Sequence, residues 1–234
     1  MSSFLPSLLG AVAGDTASAA HFVTANVTGW VASEFLDRVM KRRRESAQAI
    51  VLAELRSGAA PLRESDLEDS AAVLSRYLRA AEEGAARLNL RLLAAVFAGQ
   101  VRERAIAADD FLYYADMLAS LWRHEIILLG TLLRTSAAHP SRPEDDFSVK
   151  MAANLAARSQ LLPGVFSDGE HFNAVANSLQ RTGLPLAAPI GANFAGVGVQ
   201  YKPTVLLERL NALAEIEGVI ERDGEPEHRD SASE

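Results

Sequence analysis

Cysteine is absent from the 234 residues. Disulfide scaffolds, thiolate zinc sites, iron–sulfur clusters and cysteine nucleophiles are therefore excluded. Helix breakers are scarce, with 9 prolines and 15 glycines against an abundance of alanine, leucine, arginine and glutamate. The abundant residues lose little rotamer freedom in a helix, so helices are expected throughout. No Lys or Arg precedes the first apolar run, Phe4 to Leu9, so a secretory signal is not expected and a reducing cytoplasm is. Net positive charge is also missing. The formal value is −7, which disfavours non-specific binding to nucleic acid by the whole surface. What remains is 49% hydrophobic, enough to bury a core.

In the first 57 residues Asp15 is the only formal charge before Glu34, and the first basic residue is Arg38. Val23, Val27, Val31, Phe35 and Val39 recur every four residues and continue into Ile50, Val51 and Leu55. This spacing predicts one long helix with an apolar stripe, with Gly29 as a candidate kink. Gly10 and Gly14 match a close-packing GxxxG pattern, and Lys41, Arg42, Arg43 and Arg44 follow as a positive flank. Polar residues from Asp15 to Thr28 interrupt the run, so a spanning helix is not expected. A peripheral membrane contact through residues 3–40, or burial against the bundle or a second subunit, are the two readings. Four consecutive basic residues point around most of a helix circumference and cannot all face one flat surface.

Ser65 and Glu68 have capping-box spacing and open a helix carrying Leu67, Ala71, Leu74 and Leu78, with a break at Gly84. Further helices are predicted around Leu88 to Phe97, from Asp109 or Asp110 onward, and around Ile126 to Leu129. Together they predict a helical domain over 1–137. Two prolines and three acidic residues mark 138–146 as a linker, and 222–234 reads as a disordered acidic tail.

Residues 147–221 change character. A helix over Val149 to Ala157 is followed by a second capping-box spacing at Ser167 and Glu170, then a helix carrying Phe172, Val175, Ala176 and Leu179. Gly183 sits where a left-handed cap ends it. Two strand-like segments, Leu184 to Leu186 and Val199 to Thr204, enclose a glycine-rich stretch, and a helix with Leu206, Leu207, Leu210 and Leu213 closes the module. Asn177 to Leu184 resembles the end of a recognition helix entering a first wing strand. Tyr201 to Thr204, followed by Leu206 and Leu207, resembles a second wing strand entering a closing helix. The segment is thus similar to winged-helix domains, and the expected fold class is mainly α, a helical bundle followed by a winged-helix-like module with a small β-hairpin. A helical front half joined to such a module resembles bacterial abortive-infection proteins of the alpha type, which implies phage defence.

In DNA-binding winged helices the second helix of the pair enters the major groove. Asn173, Asn177 and Gln180 would face outward there, with Arg181 and His171 nearby and Lys202 on the wing. Asn and Gln can read adenine edges, and Arg can hold phosphate or guanine. Five basic against three acidic residues give 147–210 a local charge of +2. This is a weak footprint for a partner with many phosphates. The same face equally suits a protein contact.

No catalytic set emerges. His124-Glu125 lacks the second histidine of a zinc-protease helix, since position 128 is Leu. The five histidines, at 21, 124, 139, 171 and 228, have no metal-ligand spacing. The glycines of Gly191 to Gly198 lead into a strand rather than into the Gly-Lys-Ser/Thr of a phosphate loop. No cofactor, metal or small-molecule substrate is expected. The expectation is a non-enzymatic bacterial regulatory or interaction protein acting through a protein partner or homo-oligomer. A DNA-binding regulator and a membrane-acting defence effector are the alternatives.

Overall fold

A computed structural model describes residues 27–58, 67–103, 108–142, 144–193 and 196–224. The residues 3–26 of the membrane reading, the cap position Ser65, and His21 and His228 lie outside them. Among the described residues the protein is mainly helical, with one small antiparallel sheet near the C-terminus. They fall into two compact units divided between Ser120 and Leu121.

The first unit contains α1 (Val27–Gly58), α2 (Leu67–Glu83), α3 (Arg87–Glu103) and α4 (Ala108–Ala119). The long helix expected over this region is α1, whose 32 residues extend about 48 Å. From Glu34 on, where its burial is described, it buries its C-terminal part, through Ala47, Ile50, Val51 and Leu55. Phe35, in the four-residue repeat, is 66% exposed. A strict four-residue repeat drifts by about 40° per step around a helix, so it cannot hold one face to a core. The mixed three- and four-residue spacing after Ala47 can. Helix α3 is buried on every side from Leu88 to Val101 except at Arg91, and it packs on α1, α2 and α4. Phe97 meets Phe111 of α4 edge to face at 6.5 Å.

Polar ties then fix the helices relative to one another. The Tyr77 hydroxyl donates to the Ala47 carbonyl at 2.8 Å, and Asn89 Nδ2 donates to the Leu118 carbonyl at 2.7 Å, near the end of α4. Burial, with the Glu54 charge beside it and Arg91 opposing, pushes the Tyr77 phenol far above its ordinary range, so it acts only as a neutral donor.

The second unit contains α5 (Arg123–Ala138), α6 (Phe147–Leu161), α7 (Gly169–Leu179), β1 (Pro185–Asn193), β2 (Gly196–Pro203), α8 (Val205–Ala214) and α9 (Ile216–Gly224). A 3-10 turn, Gln180–Thr182, extends α7 to Gly183, which adopts the left-handed φ of 70° expected of it. The 138–146 segment is the loop between α5 and α6, but it runs inside this unit. Helix α5 packs on α6, α7, β2 and α9 through a face that includes Ile126, Leu129 and Leu132. In sequence that face is indistinguishable from one belonging to the front bundle. Gly130 lets α9 approach, because a Cβ there would sit 2.9 Å from Ile220 Cδ1. Helix α9 itself runs three residues into the segment read as tail.

Strands β1 and β2 pair antiparallel, with Pro185 opposite Pro203, Leu186 opposite Lys202 and Ala187 opposite Tyr201. Within the glycine-rich stretch Asn193 pairs with Gly196, and Gly198 pairs with Ile190. Two prolines are tolerated in β1 because a two-stranded sheet has only edge strands. The cap of α7 is Asp168, whose Oδ1 accepts from the Glu170 and His171 amides at 2.9 and 2.8 Å. Ser167, the expected cap, instead donates its hydroxyl to Asp168 Oδ2 at 2.8 Å. Thr204 caps α8 and donates to the Gly183 and Leu184 carbonyls, each at 2.8 Å, stitching the closing helix to the start of the hairpin.

Candidate functional site

The outward face of α7 carries the residues singled out for recognition, and each is engaged by a neighbour. Asn173 Oδ1 accepts from Arg158 Nη1 at 3.2 Å, while the Arg158 guanidinium lies over the Phe172 ring, 5.3 Å from its centroid. Asn177 Oδ1 accepts twice, from the Tyr201 hydroxyl at 2.9 Å and from Gln180 Nε2 at 3.0 Å. The first bond ties the helix to the hairpin, and the second fixes Gln180 along its own helix. Lys202 is half-buried on β2, opposite Leu186.

Arg181 is the most constrained. Its guanidinium grips Glu125 of α5 with both arms, Nη1 to Oε1 at 2.5 Å and Nη2 to Oε2 at 2.9 Å. Nη1 also donates to the Ser178 carbonyl at 2.8 Å. The Ser178 hydroxyl donates to Glu125 Oε1 at 2.6 Å, and the Trp122 backbone N–H donates to Oε2 at 3.0 Å. Glu125 is only 3% exposed, whereas Arg181 is 45% exposed. Burial alone would raise the Glu125 carboxyl. The hydrogen bonds from Arg181, Ser178 and Trp122 outweigh it and hold the group below its usual range. The Glu125 hydrogen bonds raise Arg181 in turn.

The arrangement therefore does one thing chemically. A buried carboxylate at the start of α5 satisfies an orphan N–H of its own helix and anchors the end of α7. Sequence reasoning passed over Glu125 as part of a failed zinc motif. The signal lay in its position, three residues after the N-cap residue Trp122, the place from which a glutamate reaches back to the cap amide.

Beside this network His124 and His171 approach edge to face at 6.1 Å between ring centroids, both against the buried ring of Phe166. Among the described residues no group of three or more His, Asp or Glu gathers as a metal site would require.

The basic run on α1 divides in two. Arg43 Nη1 donates to the Glu82 carbonyl at the end of α2, at 2.8 Å, and Arg44 pairs with the Glu82 carboxylate. Lys41 and Arg42 are exposed. No helix among the described residues is long and apolar enough to cross a membrane. Compared with protein-family models, with curated proteins and with solved structures, the chain matches none.

Proposed function

We propose that the chain is a non-enzymatic regulatory or interaction protein whose C-terminal unit works as a winged-helix-like protein-contact module. Three helices followed by an antiparallel hairpin support the winged-helix likeness. With α5 included, the helix pair α6 and α7 gains the preceding helix that such domains pack it against. The observation that carries the protein-contact reading is the Glu125–Arg181 pair. It occupies the single arginine that α7 and its 3-10 extension offer to a phosphate. Exposed apolar side chains lie near at hand. Asn154 Nδ2 donates to the Val199 carbonyl at 2.9 Å, which brings the backbone carrying exposed Leu155 next to exposed Val199. Leu186 is exposed on the adjoining strand. A bacterial setting in phage defence rests on the sequence resemblance alone.

Titrating a labelled DNA duplex with the full chain at low and at physiological salt tests this reading. No saturable, salt-weakened anisotropy change is expected, and Arg181→Ala should leave the signal unaltered. Tight binding that falls as salt rises, and that Arg181→Ala abolishes, would establish a DNA-binding regulator instead. Under the protein-contact reading, a photo-crosslinker placed at Leu155 or Val199 in cells should give a discrete protein adduct.

A further inference from the structure

We infer that a cleft in the C-terminal unit, distinct from the α7 face, is the docking site for a basic segment of a protein partner. The inference rests on the protein-contact reading and names the partner's chemistry. The cleft has a volume of about 580 Å³ and lies among the end of α5, the end of β2, and helices α8 and α9. Leu133, Ala137 and Pro203 give it an apolar lining. Glu208, Glu215 and Glu217 line it as well, against the single cation Arg134.

Among the described residues those charges are paired only in part. Arg134 Nη1 pairs with Glu217 at 2.5 Å, and its Nη2 donates to Gln160 Oε1 at 2.7 Å. Among the described residues Glu208 and Glu215 have no ion-pair partner. Glu215 sits at the α8–α9 junction with φ of 51°, in the left-handed region where glycine or asparagine is easier to accommodate. Asn211 holds that junction, its carbonyl accepting from the Glu215 amide at 2.8 Å and its side chain from the Ile216 amide at 3.0 Å. That conformation is the left-handed cap that ends α8 and starts α9. Burial pushes the Glu217 carboxyl above its ordinary range, with Arg134 opposing the shift and Glu221 adding to it.

An apolar lining with unpaired carboxylates is complementary to Lys and Arg side chains, whose alkyl stems favour apolar surface while their heads seek anions. A stem against Leu133, Ala137 and Pro203 would bring a guanidinium or ammonium to Glu208 and Glu215.

The test is fluorescence anisotropy of a labelled eight-residue peptide of alternating arginine and alanine, titrated with the full chain. Saturable binding is expected, and the double variant Glu208→Gln with Glu215→Gln should weaken it by about five- to tenfold, the effect of losing two partly exposed charge pairs. Neutralising two exposed carboxylates of the other unit, Glu45→Gln with Glu103→Gln, should leave it unchanged. A citrulline-for-arginine peptide should not bind. The proposal is overturned by absence of saturable binding, by equal weakening in the Glu45/Glu103 variant, or by equal affinity for the citrulline peptide. Failure here removes only the cleft, whereas salt-sensitive duplex binding removes the protein-contact reading itself.

Discussion

The basic run of α1 and the outward face of α7 look alike in sequence, each a short set of polar or charged residues on a helix, yet the fold treats them differently. Around α1 the run splits by angle: Arg43 and Arg44 fold back onto the end of α2, while Lys41 and Arg42 stay exposed. On α7 the side chains converge inward, Asn173 toward Arg158, Asn177 toward Tyr201 and Arg181 toward Glu125. The difference lies in the acceptors. A carboxylate buried 56 residues earlier in the chain recruits Arg181, and no spacing on α7 announces it. A cation on a helix surface is a contact candidate only after its intramolecular acceptors have been counted.

The contrast can be pressed by mutation. Arg181→Ala should have the largest effect, about 2 kcal/mol of lost stability at neutral pH in urea denaturation. Breaking a fully buried pair costs roughly 3–5 kcal/mol, and the partial exposure of Arg181 reduces that. The folded-state pKa of Glu125 is lowered, so its contribution stands in full above the ordinary glutamate range, near pH 4.3. It is lost as pH falls through the lowered folded value. The gap between wild type and Arg181→Ala should therefore close on acidification.

Thr204→Val should come next, at about 1 kcal/mol, because it removes a helix cap and the hydroxyl tether to Gly183 and Leu184. Thermal melts read it directly. Around α1 the effects should be smallest. Arg44→Ala should cost about 0.5–1 kcal/mol for a half-buried ion pair. Lys41→Ala and Arg42→Ala should each stay within about 0.5 kcal/mol. Destabilisation by Lys41→Ala equal to that of Arg44→Ala would erase the division of the run.

Much of the fold was legible locally. The long helix α1, the left-handed Gly183 and a hairpin near the C-terminus follow from periodicity and turn chemistry, whereas the break at 138–146, read as a domain boundary, lies inside the second unit. What stayed hidden was non-local. The apolar face of Ile126, Leu129 and Leu132 reads as a core helix without saying whose core, so α5 went to the front half although it packs with α6, α7, β2 and α9. Ser167 and Asp168 are both competent caps, and only geometry chooses the aspartate. The candidate residues on α7 were correctly placed on one helix and its extension. Their engagement depended on Arg158, Tyr201 and Glu125, which lie at sequence separations of 15, 24 and 56.

The claim that Arg181 belongs to the fold rather than to a ligand is tested most directly by a double-mutant cycle of Glu125→Ala and Arg181→Ala, read by chemical denaturation of the full chain. Packed, bonded partners should show a coupling energy of at least about 1 kcal/mol. Costs that simply add, with coupling below about 0.3 kcal/mol, would mean that the pair does not hold in solution and that Arg181 is available to a nucleic-acid phosphate after all.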